Sequence, residues 1–227
     1  MTTKFHKSLL AAIAAGCIAV PVQIMAHGDV APQPMNTDAL PEVGEEWLTE
    51  NPYRAEAASQ TSSPAKIGDS GYNQNCARCH GLGAVSGGLA PDLRFLEAEE
   101  YGDEWYAERF RDGYTQDGTT KMPAFGEVLG QKAAWAIRTY IETRPEDGAL
   151  DASADRLREI RDQLAAGEGD PMALKAELAE IAGAVATASG APKADSAVSR
   201  AAAALTDDPA SGKHAAELLT IGLSASN

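Results

Sequence analysis

Five consecutive residues constrain this chain more than any others: Cys76-Ala77-Arg78-Cys79-His80. Two thiols one helical turn apart can meet the two vinyl groups on one side of a porphyrin. The adjacent imidazole then projects at the iron. This Cys-x-x-Cys-His spacing is the attachment signature of a c-type haem. Two other uses of paired thiols compete with it. A thioredoxin-like dithiol wants a strand–helix–strand setting, which the surrounding pattern lacks. A structural zinc site wants four Cys or His ligands. Beyond the motif, the chain after residue 26 offers only His27 and His214, both far away in sequence. Haem attachment is therefore the reading carried forward.

Covalent attachment needs reduced thiols and haem outside the cytoplasm, and the start of the chain agrees. Lys4 and Lys7 form a basic region, residues 9–20 a short Ala-rich apolar stretch, and Ile24-Met25-Ala26 a small-residue end. This reads as an export signal over 1–26, cleaved after Ala26, and places the protein in a periplasm. The apolar run is short for a spanning helix and is followed by Pro21, which argues against a retained anchor. Ala14-Ala15-Gly16-Cys17 also loosely resembles a lipoprotein box, so lipid anchoring at Cys17 stays open. With cleavage after Ala26, the chain keeps only Cys76 and Cys79 of its three cysteines, too few for a disulfide scaffold, and it has no further membrane span.

The rest divides into three parts. Residues 27–64 form an arm in which Pro32, Pro34, Pro41 and Pro52 oppose long helices. Trp47, Leu48 and Tyr53 are its apolar hooks. Residues 65–145 carry the chemistry; Phe5 apart, every aromatic residue lies between Trp47 and Tyr140. Residues 146–227 are rich in Ala and read as several helices. Leu157, Ile160 and Leu164, then Leu174, Leu178, Ile181 and Val185, recur at helical spacing. Asp170-Pro171 and Asp208-Pro209 fit helix starts, with the carboxylate as cap and proline in the first turn. A tail this poor in bulky side chains buries little apolar area, and reads as a marginal appendix or as helices that order only against a partner.

Within the middle part, Gly68, Tyr72 and Cys76 share one helix face. Gly68 lets a second helix cross closely. Residues 131–144 supply that helix, with Trp135, Ile137, Tyr140 and Ile141 as its apolar side chains. Met122 lies in Gly118-Thr119-Thr120-Lys121-Met122-Pro123-Ala124-Phe125, read as an irregular loop from which a thioether can reach a metal. It is the expected sixth ligand opposite His80. Met35 is a distant second candidate, and Met172 falls in the tail's helical pattern as packing. Pro91 follows His80 by eleven residues, and its carbonyl is placed to accept the imidazole proton not needed at iron, fixing the ring.

These elements are together similar to a mono-haem class I cytochrome c. The resemblance rests on Gly68 and Tyr72, the Cys76–His80 motif, Ala90-Pro91-Asp92-Leu93, Lys121-Met122-Pro123-Ala124-Phe125, and the helix with Trp135 and Tyr140. The arm segment 36–47 and Tyr101-Gly102-Asp103-Glu104-Trp105-Tyr106 further resemble periplasmic cytochromes c that take electrons from PQQ-dependent alcohol dehydrogenases. The implied fold is all-α: a class I cytochrome c fold with a Pro-rich N-terminal arm and an Ala-rich helical C-terminal extension. The resemblance implies one covalent haem c on Cys76 and Cys79, axial ligands His80 and Met122, and Arg94, Trp105, Tyr106, Arg109, Arg111 or Tyr114 as partners of the haem propionates. It says nothing about the tail.

A saturated iron implies a one-electron carrier rather than an enzyme. The expected donor is a quinoprotein alcohol dehydrogenase, and the acceptor a terminal oxidase or another cytochrome. Two other readings stay open: an electron-transfer or assembly subunit of a larger redox complex, and a haem enzyme or sensor with a labile sixth ligand. The net charge of −14 excludes a nucleic-acid binder, which must neutralise phosphates. The dense run Glu97, Glu99, Glu100, Asp103 and Glu104 reads either as a solvated face or as a docking patch for a basic partner. The acidic arm segment 38–46 and His27 are further places where a metal ion could bind, without a recognised loop pattern.

Overall fold

The computed structural model describes residues 31–56, 64–208 and 210–225. The expected export signal, its cleavage after Ala26, the Cys17 alternative and His27 lie outside them. The described chain is helical apart from one small hairpin. Helix α1 spans Pro64–Asn75 and α2 spans Ala77–His80. After an irregular stretch come α3, Glu100–Asp112, and the antiparallel strands β1, Tyr114–Gln116, and β2, Thr119–Met122. Helix α4 spans Gly126–Glu142. Gly130, at φ 72° and ψ 175°, interrupts it, so the regular helix begins at Gln131.

Helices α1 and α4 cross at Gly68. A Cβ built there would stand 1.9 Å from the carbonyl oxygen of Ala136, so only glycine allows the backbones this close. The same crossing brings Tyr72 against Tyr140, with ring centroids 5.1 Å apart. Around it lies an aromatic core in which Tyr72, Phe110 and Trp135 are fully buried.

The arm is bound across this core. Tyr53 is buried and donates its hydroxyl to the Pro41 carbonyl at 2.7 Å. Trp47 packs on Phe110, with centroids 6.4 Å apart. Leu48 is no hook: its side chain is exposed, and it is its backbone N–H that is held, by Gln131 Oε1 at 2.6 Å. Beneath the arm is a charged network. Asp103 and Arg138 pair at 2.8 Å with both side chains fully buried, and Arg54 reaches Asp103 at 2.6 Å and Glu142 at 3.0 Å. Asp103 therefore leaves the acidic surface run to which its neighbours assigned it. It faces inward because α3 turns it toward α4, while Glu104 beside it stays exposed.

The C-terminal helices are α5, Ala154–Ala166; α6, Pro171–Gly183; α7, Ala197–Ala204; and α8, Ala210–Ala225. Asp170 caps α6 by accepting from the Met172 amide at 3.0 Å, with Pro171 in the first turn, and Asp208 accepts from the Ala210 amide at 2.9 Å. The expectation of a marginal appendix is corrected here. These helices enclose their own core, in which Leu157, Ile160, Leu178, Val198, Leu205 and Leu219 are essentially sealed from water. The alanines supply closeness instead of bulk: at Gly222 an added Cβ would lie 2.3 Å from that of Ala197. Met172 is half exposed rather than packed.

Candidate functional site

The site is built from three segments. Helix α1 ends where the Cys76 amide donates to the Tyr72 carbonyl at 2.8 Å, and α2 then carries Ala77, Arg78, Cys79 and His80. Gly81, at φ 82°, turns the chain out of α2, and a Cβ there would lie 1.9 Å from the Val85 carbonyl oxygen. The arm steadies the entry: Gln33 and Asn75 exchange two hydrogen bonds, at 2.6 and 3.1 Å, immediately before Cys76.

Met122 lies at the end of β2, in a hairpin rather than the irregular loop expected. Asp117 and Gly118 both have positive φ, at 51° and 74°, the signature of a tight turn between twisted strands. The segment after Met122 is pressed against the end of α3. The Phe125 amide donates to the Phe110 carbonyl at 2.9 Å, and a Cβ on Gly113 would lie 2.5 Å from the Met122 carbonyl oxygen.

Cys76, Cys79, His80, Pro91 and Met122 all line one cavity of about 570 Å³, within the range of cofactor pockets. Leu89, Leu93, Phe110, Phe125 and Ile141 give it apolar walls. His80 Nδ1 stands 2.9 Å from the Pro91 carbonyl oxygen. A carbonyl only accepts, so Nδ1 carries the proton and Nε2 keeps its lone pair. Burial lowers the His80 pKa, against the opposing effect of that hydrogen bond, which keeps the ring neutral and able to bind a metal. Cys76 and Cys79 form no disulfide with each other. Two thiols, an imidazole and a thioether on one apolar cavity fit a covalently held haem.

The residues offered for propionates separate into two groups. Trp105, Tyr106, Arg109 and Tyr114 line the cavity. Arg109 lies over the rings of both Trp105 and Tyr114, at 5.4 and 5.3 Å. Arg94 and Arg111 are engaged elsewhere: Arg94 with Asp92 and Asp147, Arg111 with Asp112. Lys121, which sequence reasoning did not single out, is a second cation on the wall. Met35 packs with its sulfur over Gly71, where an added Cβ would lie 2.5 Å from it, and is not among the lining residues. Among the described residues no group of three or more His, Cys, Asp or Glu side chains is placed to hold a metal ion, and no helix is long and apolar enough to cross a membrane.

Comparison with known proteins agrees with this geometry. The family described as "Cytochrome C oxidase, cbb3-type, subunit III" matches residues 63–141. Cytochrome c550 of Pseudomonas aeruginosa is 50% identical over 119 residues, which are 52% of this chain and 81% of that protein. Quinohemoprotein alcohol dehydrogenase ADH-IIG of Pseudomonas putida is 32% identical over 91 residues, 40% of this chain and 12% of the enzyme. Quinohemoprotein alcohol dehydrogenase ADH IIB of the same species is 28% identical over 114 residues, 50% of this chain and 14% of the enzyme. The chain thus spans only a small part of either dehydrogenase. No solved structure matches it significantly.

Proposed function

The chain belongs to the cytochrome c family, as an electron-transfer protein with a covalently bound c-type haem, and from that premise we propose that it is a periplasmic one-electron carrier serving a quinoprotein alcohol dehydrogenase. In this reading residues 65–145 form the haem unit, preceded by an export signal and an arm and followed by a helical extension. Cys76 and Cys79 attach the haem through their sulfurs. His80 Nε2 and the Met122 sulfur would hold its iron. Pro91 orients the His80 ring and raises its basicity through the Nδ1–H hydrogen bond.

The single observation that carries the reading is the convergence of those five residues on one apolar cavity. A c-type haem held there would supply one-electron exchange between Fe(III) and Fe(II). Met122 biases that exchange, because a thioether ligand favours the ferrous state. With His80 and Met122 both bound, no position is left for a substrate, and the residues around the cavity serve transfer alone. Arg109 and Lys121 offer positive charge to the haem carboxylates.

The similarity to two quinohemoprotein alcohol dehydrogenases supports this choice of donor. It covers a segment of haem-unit size within much larger enzymes, as expected if both present a related surface to the same class of quinol donor. A quinol holds two electrons, so it reduces two carriers or one carrier in two encounters. Stopped-flow mixing of the oxidised protein with a reduced quinoprotein alcohol dehydrogenase tests this. Reduction at two carriers per quinol supports it; absence of reduction overturns the donor assignment. The match of residues 63–141 to an oxidase subunit family favours a second reading, a cytochrome subunit of a larger redox complex. Co-purification in a stable stoichiometric complex would select it.

A further inference from the structure

Among the described residues, none lining the haem cavity lies beyond Ile141, yet the C-terminal helices are tied to the residue that follows His80. The tie begins at Asp195, just before α7. Its carboxylate accepts from Arg144 Nη2 at 2.6 Å, and its backbone carbonyl accepts from the same nitrogen at 3.1 Å. The Asp195 amide donates to the Thr143 carbonyl at 2.9 Å. Arg200 of α7 completes the cluster, bonding Asp195 Oδ1 at 2.7 Å and reaching Asp69 of α1 at 3.6 Å. The middle of α1 and the end of α4 are thus gripped together by the tail.

Arg144 carries the tie inward. Its guanidinium lies over the Tyr140 ring, 4.1 Å from the centroid, and its Nε donates to the Tyr140 carbonyl at 2.9 Å. A cation is attracted to the negative face of an aromatic ring, and Asp195 and Arg144 are each only 12–13% exposed because they neutralise one another. Tyr140 also packs against Tyr72, 5.1 Å away between centroids. Tyr72 is fully buried and donates its hydroxyl to the Gly81 carbonyl at 2.8 Å. The Gly81 amide closes α2 on the Ala77 carbonyl at 2.9 Å. His80 is held between these points.

We propose that Asp195 and Arg144 are positioning residues for electron transfer: they hold Tyr140 against Tyr72, and Tyr72 fixes the carbonyl of Gly81, the residue next to His80. The C-terminal bundle is then a brace on the haem site that adds no residue to the described lining of its cavity. The proposal rests on His80 being the iron ligand proposed above.

The test uses the full-length, haem-loaded protein with Arg144→Gln, Asp195→Asn and Tyr72→Phe. Arg156→Gln is the control, since it removes a tail-internal pair with Glu177 at 2.6 Å and touches nothing in the stack. Three quantities are read: the reduction midpoint, the far-red methionine–iron band of the ferric form, and hydrogen exchange at the Gly81 amide in the reduced form. Arg144→Gln and Tyr72→Phe should displace the midpoint in the same direction and speed Gly81 exchange about tenfold as the local opening becomes easier. Arg156→Gln should match the wild type. A wild-type midpoint and unchanged Gly81 exchange in Arg144→Gln overturn the proposal, and Asp195→Asn carries the same test if that variant does not fold. A wild-type protein without the far-red band overturns the ligand reading instead, while the Gly81 exchange still decides whether the brace exists.

Discussion

The carbonyl oxygen of Ala136 lies where the side chain of Gly68 would begin. A Cβ there would stand 1.9 Å away, and the next atoms it meets are also backbone, so nothing can swing aside. Gly68→Ala must therefore push α1 from α4. The expected loss is about 3 kcal/mol, the upper end for overpacking, seen as a lower denaturant midpoint with an unchanged slope.

Asp103 and Glu104 are neighbours with opposite fates. Asp103 joins Arg138 and Arg54 in a network with no exposed carboxylate surface, whereas Glu104 is exposed. Removing one partner of a buried ion pair leaves an uncompensated charge. Asp103→Ala should cost about 3–5 kcal/mol by that principle, and Glu104→Ala less than about 0.5 kcal/mol. Parallel thermal or denaturant unfolding checks both.

How far such features can be read from sequence depends on how local their causes are. The motif at 76–80, Gly68 and Tyr72 before it, and the eleven-residue step to Pro91 are short-range patterns; the structure gathers Cys76, Cys79, His80 and Pro91 on one cavity and sets Gly68 and Tyr72 at the α1–α4 crossing. Asp103 was misread because its partners are 35 and 49 residues away, and nothing beside it reveals them. The hairpin ending at Met122 was legible and was passed over, since Asp117-Gly118 is a strong tight-turn signal. The tail's core was harder. Each alanine buries little area, so its stability comes from close helix approaches such as Gly222 on Ala197, which no single residue announces.

Tail docking should depend on pH through Asp195. Burial opposes ionisation of its carboxyl, but the hydrogen bond from Arg200 and the charges of Arg144 and Arg200 outweigh that and hold it below the usual carboxylate range. A depressed folded-state pKa means that the unfolded chain takes up the proton first as pH falls. Its stabilisation is therefore complete above the unfolded value, about 3.9, and is lost as pH falls through the lower folded value. Acid titration of stability should show this limb in the wild type. In Asp195→Asn the protein should be less stable at neutral pH, and the limb should be flattened.

Met122 sits on the cavity wall, whereas Met35 is packed over Gly71 and Met172 is half exposed. Met122→Ala should abolish the far-red ferric band and lower the reduction midpoint, because the thioether that favours Fe(II) is gone. Met35→Leu and Met172→Leu should leave both unchanged.

The central claim is that His80 and Met122 close the iron, so that this protein moves electrons and binds nothing there. Rapid mixing of the ferrous full-length protein with carbon monoxide tests it most directly. The wild-type spectrum should stay unchanged on mixing, and Met122→Ala should bind carbon monoxide at once. Rapid binding by the wild type would contradict it and point to a labile sixth ligand.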